Sequence, residues 1–150
     1  MAYTDKLKST RVAIMRGNGA SPEVFSPMCG LTTKGFQQTR ATSDTVDWDC
    51  EDPDATPITV RDAGATDWTI SGNGLLHRPL LAQVQADFDD ANPTNYRFAF
   101  DEPSTSQVID GYYQGPGFIT DLNVTGTNGE YVNISLTISA AGPKVFVANP

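Results

Sequence analysis

The segment GFITDLNVTGTNGEYVNISLTISAAG, residues 117–142, decides the fold because it holds the clearest paired-strand pattern of the chain. Apolar side chains fall on even positions in two runs of this segment. They are Phe118, Leu122 and Val124 in the first run, and Val132, Ile134, Leu136 and Ile138 in the second. The dipeptide Asn128-Gly129 lies in the turn between the runs. This pattern predicts a long β-hairpin with one buried face.

The odd-numbered positions of the same segment are polar and nearly free of charge. The uncharged members are Asn123, Thr125, Asn133, Ser135, Thr137 and Ser139, and the only ionised groups of the hairpin are Asp121 and Glu130. No Lys or Arg occurs between Arg97 and Lys144. Soluble proteins usually guard exposed sheet edges with charged residues, because an unguarded edge recruits another strand. The hairpin is therefore expected either to be covered within its own domain or to pair with a neighbouring copy.

Length and charge limit the classes of protein. A chain of 150 residues is expected to form one domain, 1–150, with a polar N-terminal arm at residues 1–10. The net charge of −8 disfavours a surface that grips nucleic acid by its phosphates. The chain starts without an apolar signal segment and has no apolar run long enough to span a bilayer, so we expect cytoplasmic synthesis and no membrane partner. Cys29 and Cys50 are expected to be thiols.

Local patterns predict further strands and one helix. The predicted strands are 12–16, 24–31 with an edge or bulge at Pro27, 32–45, 68–71 ended by Gly72-Asn73-Gly74, 96–100, 108–113 and 145–147. The helix is predicted over residues 78–90, because Pro79 suits a first turn. Its apolar stripe, which is expected to pack in the core, consists of Leu80, Leu81, Val84 and Phe88.

An acidic stretch separates the predicted strands 32–45 and 68–71. Eight of the 18 acidic residues lie between Asp44 and Asp67, with few apolar neighbours, which predicts an extended, exposed loop over residues 47–66. The start of this loop has the spacing of calcium ligands in an EF-hand. However, Asp52 and Ile58 stand where a turn glycine and a closing glutamate belong. A solvated acidic loop is therefore expected, and no metal site.

Residue patterns for catalysis are lacking. His77 is the single histidine and has no nucleophile motif beside it, and no phosphate-binding loop opens a helix. Two cysteines and one histidine, scattered along the chain, supply too few zinc ligands. We therefore predict no catalytic residues, no cofactor and no enzyme. A hydrolase with a carboxylate pair stays open as an alternative, since acidic residues are abundant.

The order of these elements resembles the major tail tube proteins of long-tailed bacteriophages. The resemblance covers nearly the whole chain and depends on order and spacing. Its motifs are the short first strand, the long acidic loop, TISGNG at 69–74, the single helix, GYYQGPGFI at 111–119 and the terminal hairpin ending in SAAG at 139–142.

The resemblance implies a mainly β fold: a β-sandwich or partly open barrel with one flanking α-helix, whose long hairpins form an intersubunit β-barrel in a hexameric ring. In that family the rings stack into a hollow tube through which double-stranded DNA passes without adhering. The implied partners are other copies of the chain, a tape measure protein in the lumen, and tail terminator and distal tail proteins at the ends. The implied location is the virion tail, assembled in the host bacterial cytoplasm.

The resemblance also assigns roles to residues of this chain. Residues 31–46 with 67–75 would form one barrel hairpin and 117–142 the other. The lumen-lining candidates are Asp121, Asn123, Asn133, Ser135 and Thr137. The ring-stacking candidates, in the loop 47–66, are Asp47, Asp49, Glu51, Asp52 and Asp54. Lys34 and Arg40 depart from this scheme, because basic residues on a lumen strand would attract DNA; either they point outward or the first hairpin is misplaced.

Two alternatives remain at this point. One is an acidic β-sandwich that binds a carbohydrate, a cell-surface partner or calcium. The other is the ring protein of a contractile injection device, which shares the tail tube fold.

Overall fold

The structure is a computed structural model that describes residues 11–100 and 111–148. Within these ranges the chain forms eight β-strands and one α-helix. The strands are β1 (Val12–Gly17), β2 (Phe25–Pro27), β3 (Leu31–Asp47), β4 (Ile58–Leu75), β5 (Thr94–Phe100), β6 (Gly111–Thr125), β7 (Asn133–Ala140) and β8 (Val145–Ala148), and the helix is α1 (Arg78–Asp89). The predicted N-terminal arm, and the first part of the predicted strand 108–113, lie outside the described residues. No helix in the described ranges is long and apolar enough to cross a membrane.

The strands form one sheet in the order β2-β1-β5-β6-β7-β4-β3, with β8 also paired to β6. The prediction of a mainly β fold with one flanking helix is confirmed. The edge position predicted for Pro27 is also confirmed, since β2 ends the sheet and pairs only with β1 among the described strands. The chain divides into two compact units: Met1–Gln37 with Trp68–Pro150, and an arm formed by Gln38–Asp67.

The larger unit is built around a core that draws on the sheet and on α1. Its largest fully buried side chains are Tyr96, Ile14, Ile70, Ile134, Leu136, Ile138 and Val84. Phe36 adds an aromatic stack, with ring centroids 4.3 Å from Tyr113 and 5.9 Å from Trp68. In β7 and in residues 68–72 of β4, alternate residues are buried in this core, as a sheet with one covered face requires.

The hairpin predicted at residues 117–142 is formed by β6 and β7, but its buried face is assigned differently. The register passes from Ile119↔Ile138 to Asp121↔Thr137, so β6 contains a β-bulge between Ile119 and Asp121. A bulge inserts one residue and exchanges the two faces beyond it. Ile119 is therefore the buried partner of Ile138, and Phe118 lies opposite Ser139 on the other face. The prediction that Phe118 shares the buried face with Leu122 is wrong.

Glycines that were predicted to end strands lie inside them. β4 continues through Gly72-Asn73-Gly74 and stays paired with β7 as far as Leu75↔Asn133, so the predicted strand end is wrong. A Cβ on Gly72 would lie 3.1 Å from side-chain atoms of Ile14 and Leu31. Glycine therefore makes room for the core at this position and does not form a turn.

Helix α1 agrees with the predicted span, and half of its predicted stripe is buried. Leu80 and Val84 are buried in the core, whereas Leu81 is 44% and Phe88 is 45% exposed. The core-packing prediction is wrong for Leu81 and Phe88, because the third buried residue of the helix is the acidic Asp87. The buried stripe thus runs along positions 80, 84 and 87.

The arm, residues 38–67, consists of the end of β3, the start of β4 and a connecting segment, 48–57. The irregular loop is shorter than predicted, because residues 58–66 belong to β4. Asp44 and Arg61 form an ion pair at 2.8 Å across the arm. Every residue of the arm is exposed except Ala55 and Pro57, which are partly exposed.

Candidate functional site

Neighbouring strands bring the five lumen-lining candidates together on one face of the sheet. In β6 and β7 the register pairs Asp121 with Thr137 and Asn123 with Ser135, while Asn133 follows in the same row as Thr125. Strand β4 extends these rows, because Ser71 lies opposite Thr137 and Asn73 opposite Ser135. We call this surface the polar face; it consists of Ser71, Asn73, Asp121, Asn123, Thr125, Asn133, Ser135 and Thr137.

The polar face is open to solvent and almost neutral. All its members are exposed except Thr137, which is half-buried, and Asp121 is its one ionised group. A groove of about 400 Å³ crosses it, bordered by Asn73, Asn123 and Asn133. Amides and hydroxyls offer neutral donors and acceptors to water, without a fixed attraction for either sign of charge.

Sequence reasoning missed the part of the polar face that lies on β4. Ser71 and Asn73 were separated by the strand end predicted at Gly72. A signal for the longer strand was present in the sequence. Trp68, Ile70, Gly72 and Gly74 occupy alternate positions, and this is the strand period of two if the glycines are counted as small inward-facing residues.

The two basic residues that conflicted with a lumen role have different positions. Lys34 is half-buried and its Nζ donates a hydrogen bond of 2.6 Å to the backbone carbonyl of Val12 in β1. The Lys34 ammonium group therefore lies next to the backbone of β1. Arg40 lies in the arm and is exposed.

The ring-stacking candidates all lie at the end of the arm. Asp47 is the last residue of β3, and Asp49, Glu51, Asp52 and Asp54 are in the connecting segment. All five are exposed, and the Asp49 carboxylate accepts a 2.9 Å hydrogen bond from the backbone N–H of Glu51. In the described ranges no group of three or more His, Cys, Asp or Glu residues is placed to hold a metal ion.

Strand edges are open on both sides of the polar face. Beyond Gly117, β6 pairs with β7 alone among the described strands, because β5 starts at the pair Thr94↔Gly117. On the other side β3 is the last of the described strands in the sheet. Unpaired backbone N–H and C=O groups are therefore available at residues 118–125 and along β3.

In the described residues the chain therefore forms a largely antiparallel sheet with one helix, two long hairpins and strand edges that are open to pairing with further strands. The family model described as Phage tail tube protein matches residues 6–146. The chain therefore belongs to the phage tail tube protein family, whose members are structural components of the virion tail, and the resemblance in the sequence is confirmed.

Solved structures share this fold at low sequence identity. A chain from the tail of an empty gene transfer agent particle, refined with helical and C6 symmetry, superposes with a TM-score of 0.74 at 19% identity, covering 95% of this chain and 100% of that one. A chain of the PVC extracellular contractile injection system sheath–tube complex gives 0.66 at 9% identity, covering 95% and 92%. The SPP1 tail tube gives 0.65 at 9% identity, covering 95% and 80%. No curated protein sequence is significantly similar to the chain.

Proposed function

We propose that this chain is the repeating subunit of a hollow phage tail tube, in which hexameric rings stack and DNA passes through the centre during genome ejection. The observation that carries this proposal is the pair of open strand edges on either side of the polar face. A subunit with one open edge at each side can continue its sheet into the next copy, and a ring of copies closes that sheet into a barrel without edges.

In this assembly the edge of β6 at residues 118–125 pairs with β3 of the neighbouring copy. The two edges differ, so the contact is heterologous and its repetition by rotation gives a ring. The polar face then forms the wall of the channel, and Asp121, Asn123, Asn133, Ser135 and Thr137 line the lumen.

The chemistry of the polar face suits a channel. Since DNA and the tape measure protein must both leave the lumen, a wall of amides and hydroxyls avoids strong contacts with either. A ring of six copies at −8 each carries about −48 charges, most of them in the arms. Because salt screens exposed charges beyond about 8 Å, the repulsion of phosphates in the lumen depends mainly on carboxylates close to the wall. Asp121, with Glu130 near the turn, keeps the wall negative.

The ends of the tube and its stacking involve other surfaces. The acidic arm reaches the adjacent ring through Asp47, Asp49, Glu51, Asp52 and Asp54, and tail terminator and distal tail proteins close the stack. Assembly takes place in the host bacterial cytoplasm, and the subunit performs no catalysis.

Electron microscopy of negatively stained, concentrated protein tests the proposal. We expect rings or tubes with a central channel. Monodisperse monomers at every concentration, with binding of glycans or calcium, would overturn it in favour of the binding module, and turnover of a glycoside would favour the carboxylate-pair hydrolase. Examination of the native particle separates the two tail types, because a sheath around the tube would identify a contractile device.

A further inference from the structure

The arm exposes apolar side chains that a single chain leaves uncovered. Val46, Trp48, Ile58 and Val60 are all exposed, and Trp48 is 60% exposed. Because consecutive residues of a strand point to opposite faces, the unbroken exposure of residues 38–54 means that both faces of the β3 part of the arm are open. A two-stranded ribbon with no covered face is marginally stable in water. A partner that covers Trp48 would stabilise the arm.

Most of the net negative charge of the chain is also located in the arm. Residues 38–67 contain eight carboxylates and two arginines, a net charge of −6, whereas the whole chain has −8. Two arms brought together would repel each other. The partner of the arm is therefore a surface outside the arm that combines a positive charge with an exposed apolar side chain.

Arg78 and Leu81 of α1 provide such a surface. Among the described basic residues outside the arm, Arg16 is bonded to Asp87, Lys34 to Val12, and Arg97 to Gln114. Arg11 also takes part in an interaction, and Lys144 is half-buried. Arg78 is exposed, and no hydrogen bond or ion pair of its side chain is formed within the described residues. Leu81, one helical turn further, is 44% exposed, so the two side chains are neighbours on the helix surface.

We propose that the arm tip of one copy docks on α1 of a second copy, with Trp48 against Leu81 and Arg78. In this contact the Arg78 guanidinium bonds the carboxylates of Asp47 and Asp49, which flank Trp48. It also lies over the indole ring, an arrangement that arginine favours. The inference depends on the proposed tube, since it names the surface on which the acidic arm is received.

A disulfide cross-link tests the contact directly. Cys50 is exposed and lies two residues from Trp48, and the other cysteine, Cys29, is removed by Cys29→Ser. In that background, Leu81→Cys should give a ladder of covalent oligomers when assembled tubes are oxidised. Val145→Cys, at a side chain that is 59% exposed, is the matched control and should give none. Tubes that form normally with Leu81→Cys but give no ladder, or an equal ladder with Val145→Cys, would overturn the inference.

Charge-reversal variants test the electrostatic contribution to the docking of the arm on α1. Arg78→Glu should raise the concentration needed for tube formation by about tenfold, and combination with Asp47→Arg and Asp49→Arg should restore assembly. Lys144→Glu changes the net charge equally and should have a smaller effect. Equal losses for Arg78→Glu and Lys144→Glu, without restoration by the arm variants, would contradict the contact.

Tryptophan fluorescence separates failure of this contact from failure of the proposed function. Trp68 is 4% exposed and Trp48 is 60% exposed, so a blue shift on assembly reports on Trp48. We expect the shift in the wild-type protein and its loss in Trp48→Phe. Wild-type tubes without a shift would overturn the docking and leave the tube intact, whereas absence of tubes would overturn the proposed function itself.

Discussion

The guanidinium of Arg16 in β1 and the carboxylate of Asp87 in α1 form a two-pronged ion pair, with N–O distances of 2.5 and 2.7 Å. The hydroxyl of Tyr96 in β5 donates a third hydrogen bond to the same carboxylate at 2.8 Å. The Asp87 side chain is 4% exposed, so the helix and two strands meet at a buried charge whose partners are all supplied. This accounts for an aspartate near the carboxyl end of α1, where the helix dipole disfavours anions.

Asp87→Ala should lower the free energy of unfolding by about 3 kcal/mol, because it leaves the Arg16 charge and the Tyr96 hydroxyl without their acceptor. Urea denaturation measures the change. The control is Asp89→Ala, since Asp89 is exposed and accepts one hydrogen bond, from Gln85. Similar decreases in the free energy of unfolding for the two variants would show that the buried ion pair stabilises the fold no more than an exposed aspartate does.

The stability of the subunit should fall steeply above pH 10, and Tyr96 should be responsible. Burial, followed by the charge of Asp87 and its hydrogen bond, raises the pKa of Tyr96 well above its ordinary value of 10.0. Above pH 10 the unfolded chain loses this proton while the folded chain keeps it, so the unfolded state is favoured as pH rises. The expected slope from this group is about 1.4 kcal/mol per pH unit.

Urea midpoints between pH 9 and pH 11 test this dependence. Tyr96→Phe should be less stable at neutral pH by about 1 kcal/mol, through the lost hydrogen bond, yet show a shallower slope above pH 10. Tyr131→Phe, at a side chain that is 81% exposed, should keep the wild-type slope. An unchanged slope in Tyr96→Phe would refute the assignment.

Gly117→Ala should destabilise the hairpin by about 1–3 kcal/mol through overpacking. A Cβ at this position would lie 2.8 Å from Cγ2 of Ile138 and 2.9 Å from the carbonyl oxygen of Ser139. Gly126 is the matched control in the same hairpin, because the nearest atom to its added Cβ is 3.8 Å away. Thermal denaturation should show a lower Tm for the first variant only, and equal Tm values would mean that the backbone relaxes at residue 117.

In the proposed hexameric tube, Asp121→Lys should slow genome passage while tubes still form, because it would place six lysines per ring against the phosphates of the DNA. Single-particle ejection rates and infectivity of a phage with this substitution provide the measurement. Asp89→Lys on α1 makes the same charge change away from the polar face and should leave ejection unchanged. Normal infectivity of the Asp121→Lys phage would count against a lumen role for this residue.

Local patterns determined much of this protein. Alternation of apolar residues predicted the β6–β7 hairpin, and helical spacing after Pro79 predicted α1 to within one residue of its end. The order of these elements predicted the tail tube family. The hairpin and helix predictions follow from the period of two in strands and 3.6 in helices, which a segment shows in its own sequence, whereas the family was inferred from resemblance.

Tertiary structure decided which side chains meet. The bulge after Ile119 exchanged the faces of β6 and placed Phe118 opposite Ser139, which alternation alone does not reveal. The pairing of Arg16 with Asp87 joins residues 71 positions apart, so no local pattern marks Asp87 as buried. Register and burial depend on which segments pack together, because a side chain is buried only by atoms that the rest of the chain, or another copy of it, supplies.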